Sequence, residues 1–164
     1  MEYALFLILG CFINKERRIC CFAGHSKVAN IDFVYSKLLQ ILENLIIKEN
    51  VTNFQVGNYG TFDKLAEKAL NKLKEKYDIK IELVIPYLKK EINENKEEYY
   101  KNYDNIVMAE IPLSTPQKLK IIKCNEYMIK SCNYLICYIE HSWGGASKTL
   151  DFAKKKKNIK IINI

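Results

Sequence analysis

Short apolar runs alternate along this chain with longer stretches in which apolar residues recur every three or four positions. The runs predict strands near residues 18–23, 54–56, 80–85, 106–111, 134–139 and 159–164. The longer stretches predict amphipathic helices at 32–48, from 61 to about 73, from Pro116 onward and at 147–157. Alternating strands and helices predict an α/β fold, a single-domain Rossmann-like unit whose doubly wound, mostly parallel sheet is flanked by helices.

The segment 51–73, VTNFQVGNYGTFDKLAEKALNKL, gives the clearest local pattern. A short alternating strand ends at Gly57-Asn58-Tyr59-Gly60, and a helical pattern follows. Thr61 is predicted to cap that helix, and Asp63 falls in its first turn, where the helix dipole favours a carboxylate. The free amides of such a helix start suit an anion such as phosphate. The alternative is a tight turn with no ligand.

Two other predicted strands also end in loops of glycine and small polar residues. The first precedes Ala23-Gly24-His25-Ser26-Lys27, and YLICYIE precedes His141-Ser142-Trp143-Gly144-Gly145. In a parallel sheet all three loops lie at the carboxyl edge, where ligands bind at a topological switch point. The sequence therefore predicts one ligand site that the three loops share.

Size, charge and cysteine content fit one folded domain. The chain has 164 residues, a net charge of +7 and six cysteines, enough length for a single core. The lysines are scattered along polar faces, which favours a solvated surface, although attraction to phosphate or nucleic acid is the alternative. The cysteines show no C-x-x-C spacing, so we expect buried thiols in a reducing cytoplasmic compartment, and neither a metal site nor a cofactor.

Two segments fall outside the regular alternation. Residues 4–13 are apolar but too short to span a bilayer, and the only early charge is Glu2. We therefore expect an extension at residues 1–16 ahead of a domain at 17–164, no membrane as partner, and a weak anchor as the alternative. Residues 89–105 are dense in charge and predict a solvated helix or a mobile flap, although they include Tyr99, Tyr100 and Tyr103.

The segments CCFAGHSKV, FQVGNYGTFDKLAEKA and KCNEYMIKSCNYLICYIEHSWGGASKTLDFAKKKKNIKIIN together resemble the SLOG superfamily. This is the Rossmann-like group that contains the DprA/Smf and Lonely Guy proteins, and the chain is most similar to its short bacterial branch. The resemblance covers about residues 18–164. The chain keeps the family's Asn125, Met128, Gly144, Gly145 and Thr149, and departs from it at Cys124, Asn133 and Ala146.

The resemblance implies a nucleotide pocket at the carboxyl edge. Backbone amides form two nests for phosphate or ribose oxygens. One nest runs from Gly57 to Thr61, and the other runs from Gly144 through Ala146 to Thr149. Gly24, His25 and Ser26 form a third wall, and the amide of Asn125 reaches in from its helix. His25 is alternatively a turn histidine without a ligand. Trp143 stacks on a base or simply packs at the rim.

We therefore expect a protein that binds a nucleotide or nucleotide-derived small molecule, in signalling or sensing, and that forms a homo-oligomer. The alternative is a Lonely Guy-like hydrolase of nucleoside monophosphates. Those enzymes carry Gly-Gly-x-Gly-Thr followed by a glutamate, whereas here no glutamate follows Thr149. Glu140, Asp63 and Asp151 lie outside that catalytic position, so no catalytic residue is assigned.

Single-stranded DNA binding, as in DprA, is the third hypothesis. The lysines at 154–157 are the basic run that could serve it. A helix dipole already explains cations at a helix C-terminus, and basic residues are not interleaved with aromatic ones. Nucleic acid is therefore not the expected partner.

Overall fold

The computed structural model describes residues 17–88 and 90–164. Within them the chain forms one six-stranded sheet in the order β4-β3-β2-β1-β5-β6, and every neighbouring pair is parallel. The strands are β1 (Ile19–Gly24), β2 (Asn53–Val56), β3 (Lys80–Ile85), β4 (Asn105–Met108), β5 (Tyr134–Tyr138) and β6 (Lys160–Asn163). The predicted α/β fold with a doubly wound parallel sheet is confirmed. The predicted extension at 1–16 lies outside the described residues.

Six helices connect the strands in the described part of the chain. They are α1 (Ile31–Glu49), α2 (Thr61–Lys74), α3 (Lys90–Glu94), α4 (Lys96–Asn102), α5 (Gln117–Ser131) and α6 (Gly145–Lys154). In residues 17–88 and 90–164, no helix is long and apolar enough to cross a membrane.

The central strand β1 separates two hydrophobic cores. Successive side chains of a strand point to opposite faces, so Cys20 and Phe22 pack with α1 and α2, while Cys21 and Ala23 pack with α5 and α6. The five described cysteines are buried free thiols, as the apolar runs around them predict. Helices thus cover both faces of the sheet, and the central strands β1 and β5 are buried along almost their whole length.

The order of the strands places a switch point at the carboxyl end of β1. From β1 the chain builds outward through β2, β3 and β4 on one side, and it then returns to place β5 on the other side. The loops that follow β1 and β5 consequently lead to helices on opposite faces of the sheet, which leaves a crevice between them.

The starts of α1 and α6 and the cap of α2 differ from the predicted ones. Helix α1 begins at Ile31 rather than at 32, and Asn30 caps it, because the Asn30 side chain accepts a hydrogen bond from the Phe33 amide at 3.1 Å. Gly60 occupies the cap position of α2, so Thr61 is its first helical residue and not its cap. Helix α6 begins at Gly145, two residues before the predicted start at 147.

The charged segment before β4 forms the two short helices α3 and α4. Its tyrosines attach it to the domain: the rings of Tyr99 and Tyr103 stack at 6.3 Å, and the Tyr103 hydroxyl donates to Glu67 of α2 at 2.6 Å. Tyr99 and Tyr103 thus pack this segment against the domain, whereas Tyr100 is exposed.

The start of α2 packs closely against the end of β1, and two positions in this contact, Gly24 and Gly60, have no room for a side chain. A Cβ added to Gly24 would overlap the ring of Phe62, and one added to Gly60 would lie 2.8 Å from the Ser26 Cα. The Thr61 amide also donates to the Ser26 carbonyl at 3.0 Å. Glycine at these two positions is what lets the two loops touch.

We expect Gly24→Ala to lower the free energy of unfolding by about 1–3 kcal/mol, the usual cost of overpacking a core. Urea denaturation measures the change. The control is Gly145→Ala, because a Cβ there meets only Ile122, at 3.6 Å. Equal stability of Gly24→Ala and the unchanged protein would contradict this account of the contact.

Candidate functional site

A pocket of about 550 Å³ lies in the crevice at the carboxyl edge of the sheet. Its walls come from the loops after β1, β2 and β5 and from helix α5, so the structure brings the three predicted loops together. Ten predicted site residues line it: Gly24, His25, Ser26, Tyr59, Gly60, Asp63, Asn125, Gly144, Gly145 and Ala146. Their contact with a ligand remains a prediction.

The other four predicted site residues do not line this pocket. Gly57 packs behind it, where an added Cβ would lie 3.2 Å from the Asp63 carboxylate. Asn58 faces a separate surface depression beside Tyr99, and Thr61 is the first residue of α2.

Thr149, the fourth of them, is fully buried. Its hydroxyl donates to the Gly145 carbonyl at 2.9 Å and accepts from the Asn125 amide at 3.3 Å. Thr149 thus positions Asn125 from behind the pocket wall.

The start of α6 gives the pocket a set of free backbone donors. Gly144 has φ +95° and ψ −178°, a conformation that glycine adopts readily and other residues rarely. No described side chain caps the helix, and the first helical hydrogen bond runs from the Lys148 amide to the Gly144 carbonyl at 3.2 Å. The amides of the first turn therefore have no acceptor within the helix and suit an anion.

Three aromatic rings form a stacked column at one wall. The His25 and His141 rings lie 3.6 Å apart at 20°, and the His141 and Trp143 rings lie 3.7 Å apart at 13°. His25 is only 9% exposed, whereas Trp143 is 70% exposed, so the column runs from the interior to the surface. The chain has two histidines and one tryptophan, and this column contains all three.

Asp63 places a carboxylate in the pocket wall. Its Oδ2 atom accepts a hydrogen bond from the Tyr59 amide at 3.0 Å. Removal of solvent raises the pKa of this carboxyl from 3.8 to about 6, although bonds from the Tyr59 and Gly60 amides act in the opposite direction. Near neutral pH the Asp63 carboxyl is therefore ionised, although its burial disfavours the charged form.

Seven other residues line the pocket, and of these the sequence analysis considered only Trp143, as a stacking or rim residue, and Glu140, as a carboxylate. The seven are Ala23, Lys27, Ile121, Ile122, Glu140, His141 and Trp143. Glu140, His141 and Trp143 follow β5 directly, so their place at the end of a strand was a usable signal. Ile121 fits the apolar spacing of the α5 core, but it is 37% exposed and faces the pocket. Helical spacing does not separate a core position from a pocket wall.

We expect Asp63→Asn to change how stability depends on pH. A carboxyl whose pKa is raised on folding stabilises the fold while protonated, below its unfolded pKa near 3.8. That contribution is lost as the pH rises through about 6. The unfolding free energy of the variant, relative to the unchanged protein, should therefore rise between about pH 4 and about pH 8, by at most about 3 kcal/mol.

Urea denaturation at both pH values measures this difference. Asn keeps an oxygen that can accept the Tyr59 amide, so the local turn should persist in the variant. Exposed Asp78→Asn is the control for loss of one charge. A difference that stays constant across the pH range would show that the burial of Asp63 has no energetic weight.

Comparisons with solved structures identify proteins of the same fold. DNA processing protein A (DprA) of Streptococcus pneumoniae matches with a TM-score of 0.64 and 14% identity, over 90% of this chain and 50% of that one. A structure of DprA from Helicobacter pylori, described by its single-stranded DNA binding mode, matches with a TM-score of 0.62 and 14% identity, over 89% and 64%. No family model and no curated protein matches this chain.

These comparisons establish a shared fold, and the chain spans less than two thirds of either protein. They also correct one expectation. We expected that nucleic acid would not be the partner, and that expectation is wrong, because DprA from Helicobacter pylori, which contains this fold, is described as binding single-stranded DNA.

Proposed function

We propose that this protein binds single-stranded DNA through the pocket at the carboxyl edge of its sheet. A phosphate group of the strand lies at the first turn of α6. The observation that carries the proposal is the set of uncapped amides that follow Gly144 and border the pocket. Helix starts of this kind bind phosphate through backbone donors and the helix dipole.

Two further observations support a nucleic-acid strand as the source of the phosphate. The chain carries a net charge of +7, which favours a polyanion, and Lys27 stands in the pocket lining. The fold is that of a DprA protein described as binding single-stranded DNA. That likeness is a fold-level analogy, so the site chemistry has to carry the function. On the same grounds we propose that the chain is a member of the SLOG superfamily.

A free nucleotide or nucleotide-derived molecule is the second candidate. The pocket volume of about 550 Å³ lies in the usual range for small-molecule sites. The Asp63 carboxylate can accept hydrogen bonds from a sugar or a base, and the Asn125 amide can both donate and accept them. A mononucleotide would use the same phosphate position, so competition experiments separate the two candidates.

Hydrolysis of an N-glycosidic bond is the alternative that two carboxylates favour. Asp63 and Glu140 both line the pocket, and such hydrolysis wants a carboxylate beside the ribose. No glutamate follows Thr149, so we expect no release of free base from nucleoside monophosphates. Chromatography of AMP after incubation with the protein tests this. Base release at ordinary enzyme turnover would favour the hydrolase.

A variant at the first residue of α6 tests the phosphate position. In Gly145→Asp a carboxylate stands beside the free amides, where it repels a phosphate, while an acidic residue in the first turn favours the helix. We expect its affinity for oligo(dT) to fall about tenfold or more, or about 1.4 kcal/mol. Fluorescence anisotropy of a labelled strand measures the affinity.

Gly145→Asn is the matched control, because it adds a side chain of the same size without the charge. It should bind oligo(dT) more tightly than the Asp variant. Thermal melting of both variants checks that the fold is kept. Equal affinities of the Asp variant and the unchanged protein would contradict a phosphate at α6. Displacement of the strand by a mononucleotide at low concentration would favour the small-molecule candidate.

A further inference from the structure

Trp143 is held in place although most of its surface is in solvent. One face of its indole lies on His141, and the His141 Nδ1 atom is 2.9 Å from the Trp143 carbonyl oxygen. An exposed tryptophan that is fixed in this way loses little rotational freedom when a ligand binds it. The face opposite His141 remains open, since the residue is 70% exposed.

The inner end of the column is anchored in the hydrophobic core. The His25 amide donates to the Tyr138 carbonyl at 3.2 Å, and the His25 ring meets the Tyr138 ring edge-on at 6.5 Å. Tyr138 in turn stacks on Phe62 of α2 at 5.9 Å. The stack therefore continues from a buried helix residue, through both histidines, to the tryptophan at the pocket rim.

At the inner end of the column, the His25 ring contacts the rings of His141 and Tyr138. The Nε2 atom of His25 is buried and has no hydrogen-bond partner among the described residues. Burial and the neighbouring His141 ring lower the pKa of His25, which favours the neutral ring near pH 7. A neutral ring can stack on another imidazole without charge repulsion.

We propose that an unpaired nucleobase stacks on the open face of Trp143 while a phosphate of the same strand lies at the amides that follow Gly144. This inference rests on the proposed function and names the part of the nucleotide that each element recognises. Trp143 immediately precedes Gly144 in the chain, so the stacking surface and the phosphate position adjoin. Stacking on an indole tolerates every base, so the site reads the presence of a base rather than its identity.

The single tryptophan makes the proposal directly measurable. Trp143 alone supplies the indole fluorescence of the protein, so a base that stacks on it should quench that signal. We expect quenching on titration with oligo(dT) and little quenching with an abasic strand of the same length. The abasic strand keeps every phosphate and should still bind, with an affinity reduced about tenfold or more.

A variant separates stacking from phosphate binding. Trp143→Ala should bind oligo(dT) about tenfold or more weakly, as seen by anisotropy of a labelled strand, and should bind the abasic strand as the unchanged protein does. Trp143→Phe keeps an aromatic face and should recover part of the affinity. Because the residue is exposed, we expect all three proteins to melt at similar temperatures.

The outcomes of these experiments separate DNA binding from base stacking on Trp143. If neither strand binds the unchanged protein, the proposed function fails, and the stacking inference fails with it. If both strands bind equally well, with no quenching and no effect of Trp143→Ala, then DNA binding stands and the stacking inference is wrong. Quenching by oligo(dT) that Gly145→Asp weakens would place the base and the phosphate in one site.

Discussion

The close packing of Phe62 on Gly24 is the constraint on which the site depends. Because Gly24 has no side chain, the ring of Phe62 lies directly on the end of β1. Helix α2 therefore starts beside the β1 loop, and Gly60 contacts Ser26 in the same way. Phe62 also stacks on Tyr138, whose ring edge meets His25. One packing arrangement in the core thus brings two pocket walls together and supports the aromatic column.

The pocket combines two electrostatic environments. The first turn of α6 offers uncapped amides, which favour a negative charge, whereas burial near the start of α2 disfavours the charge on Asp63. An anion is therefore best placed at α6 and away from α2. The aromatic column ends next to the α6 side, so an aromatic group that accompanies the anion has a surface to meet. This division favours a ligand with a phosphate and a planar ring.

Local periodicity is a good guide to strands and a poorer one to helix starts. The predicted third strand matches β3 at both ends, because its apolar residues are buried and Pro86 follows the last of them. Helix starts depend on which residue leaves the helical conformation, and several candidates usually lie within one turn. Helix α1 starts at Ile31 and not at 32, because the Asn30 side chain accepts a hydrogen bond from the Phe33 amide and caps the helix. Helix α6 starts earlier than predicted, because the chain enters it at Gly144 with a positive φ. The spacing of apolar residues does not reveal such a backbone conformation.

The sequence by itself determined the sheet, its parallel strands and the three glycine-containing loops at one edge, because these follow from periodicity and chain connectivity. Only the tertiary structure decided which loop residues face the pocket. Thr149 is turned inward to hold Asn125, and Ile121 is turned outward to line the wall. The stack of His25, His141 and Trp143 joins residues more than a hundred positions apart. Contacts of that kind depend on how β1 and β5 pair, which no local pattern in the chain encodes.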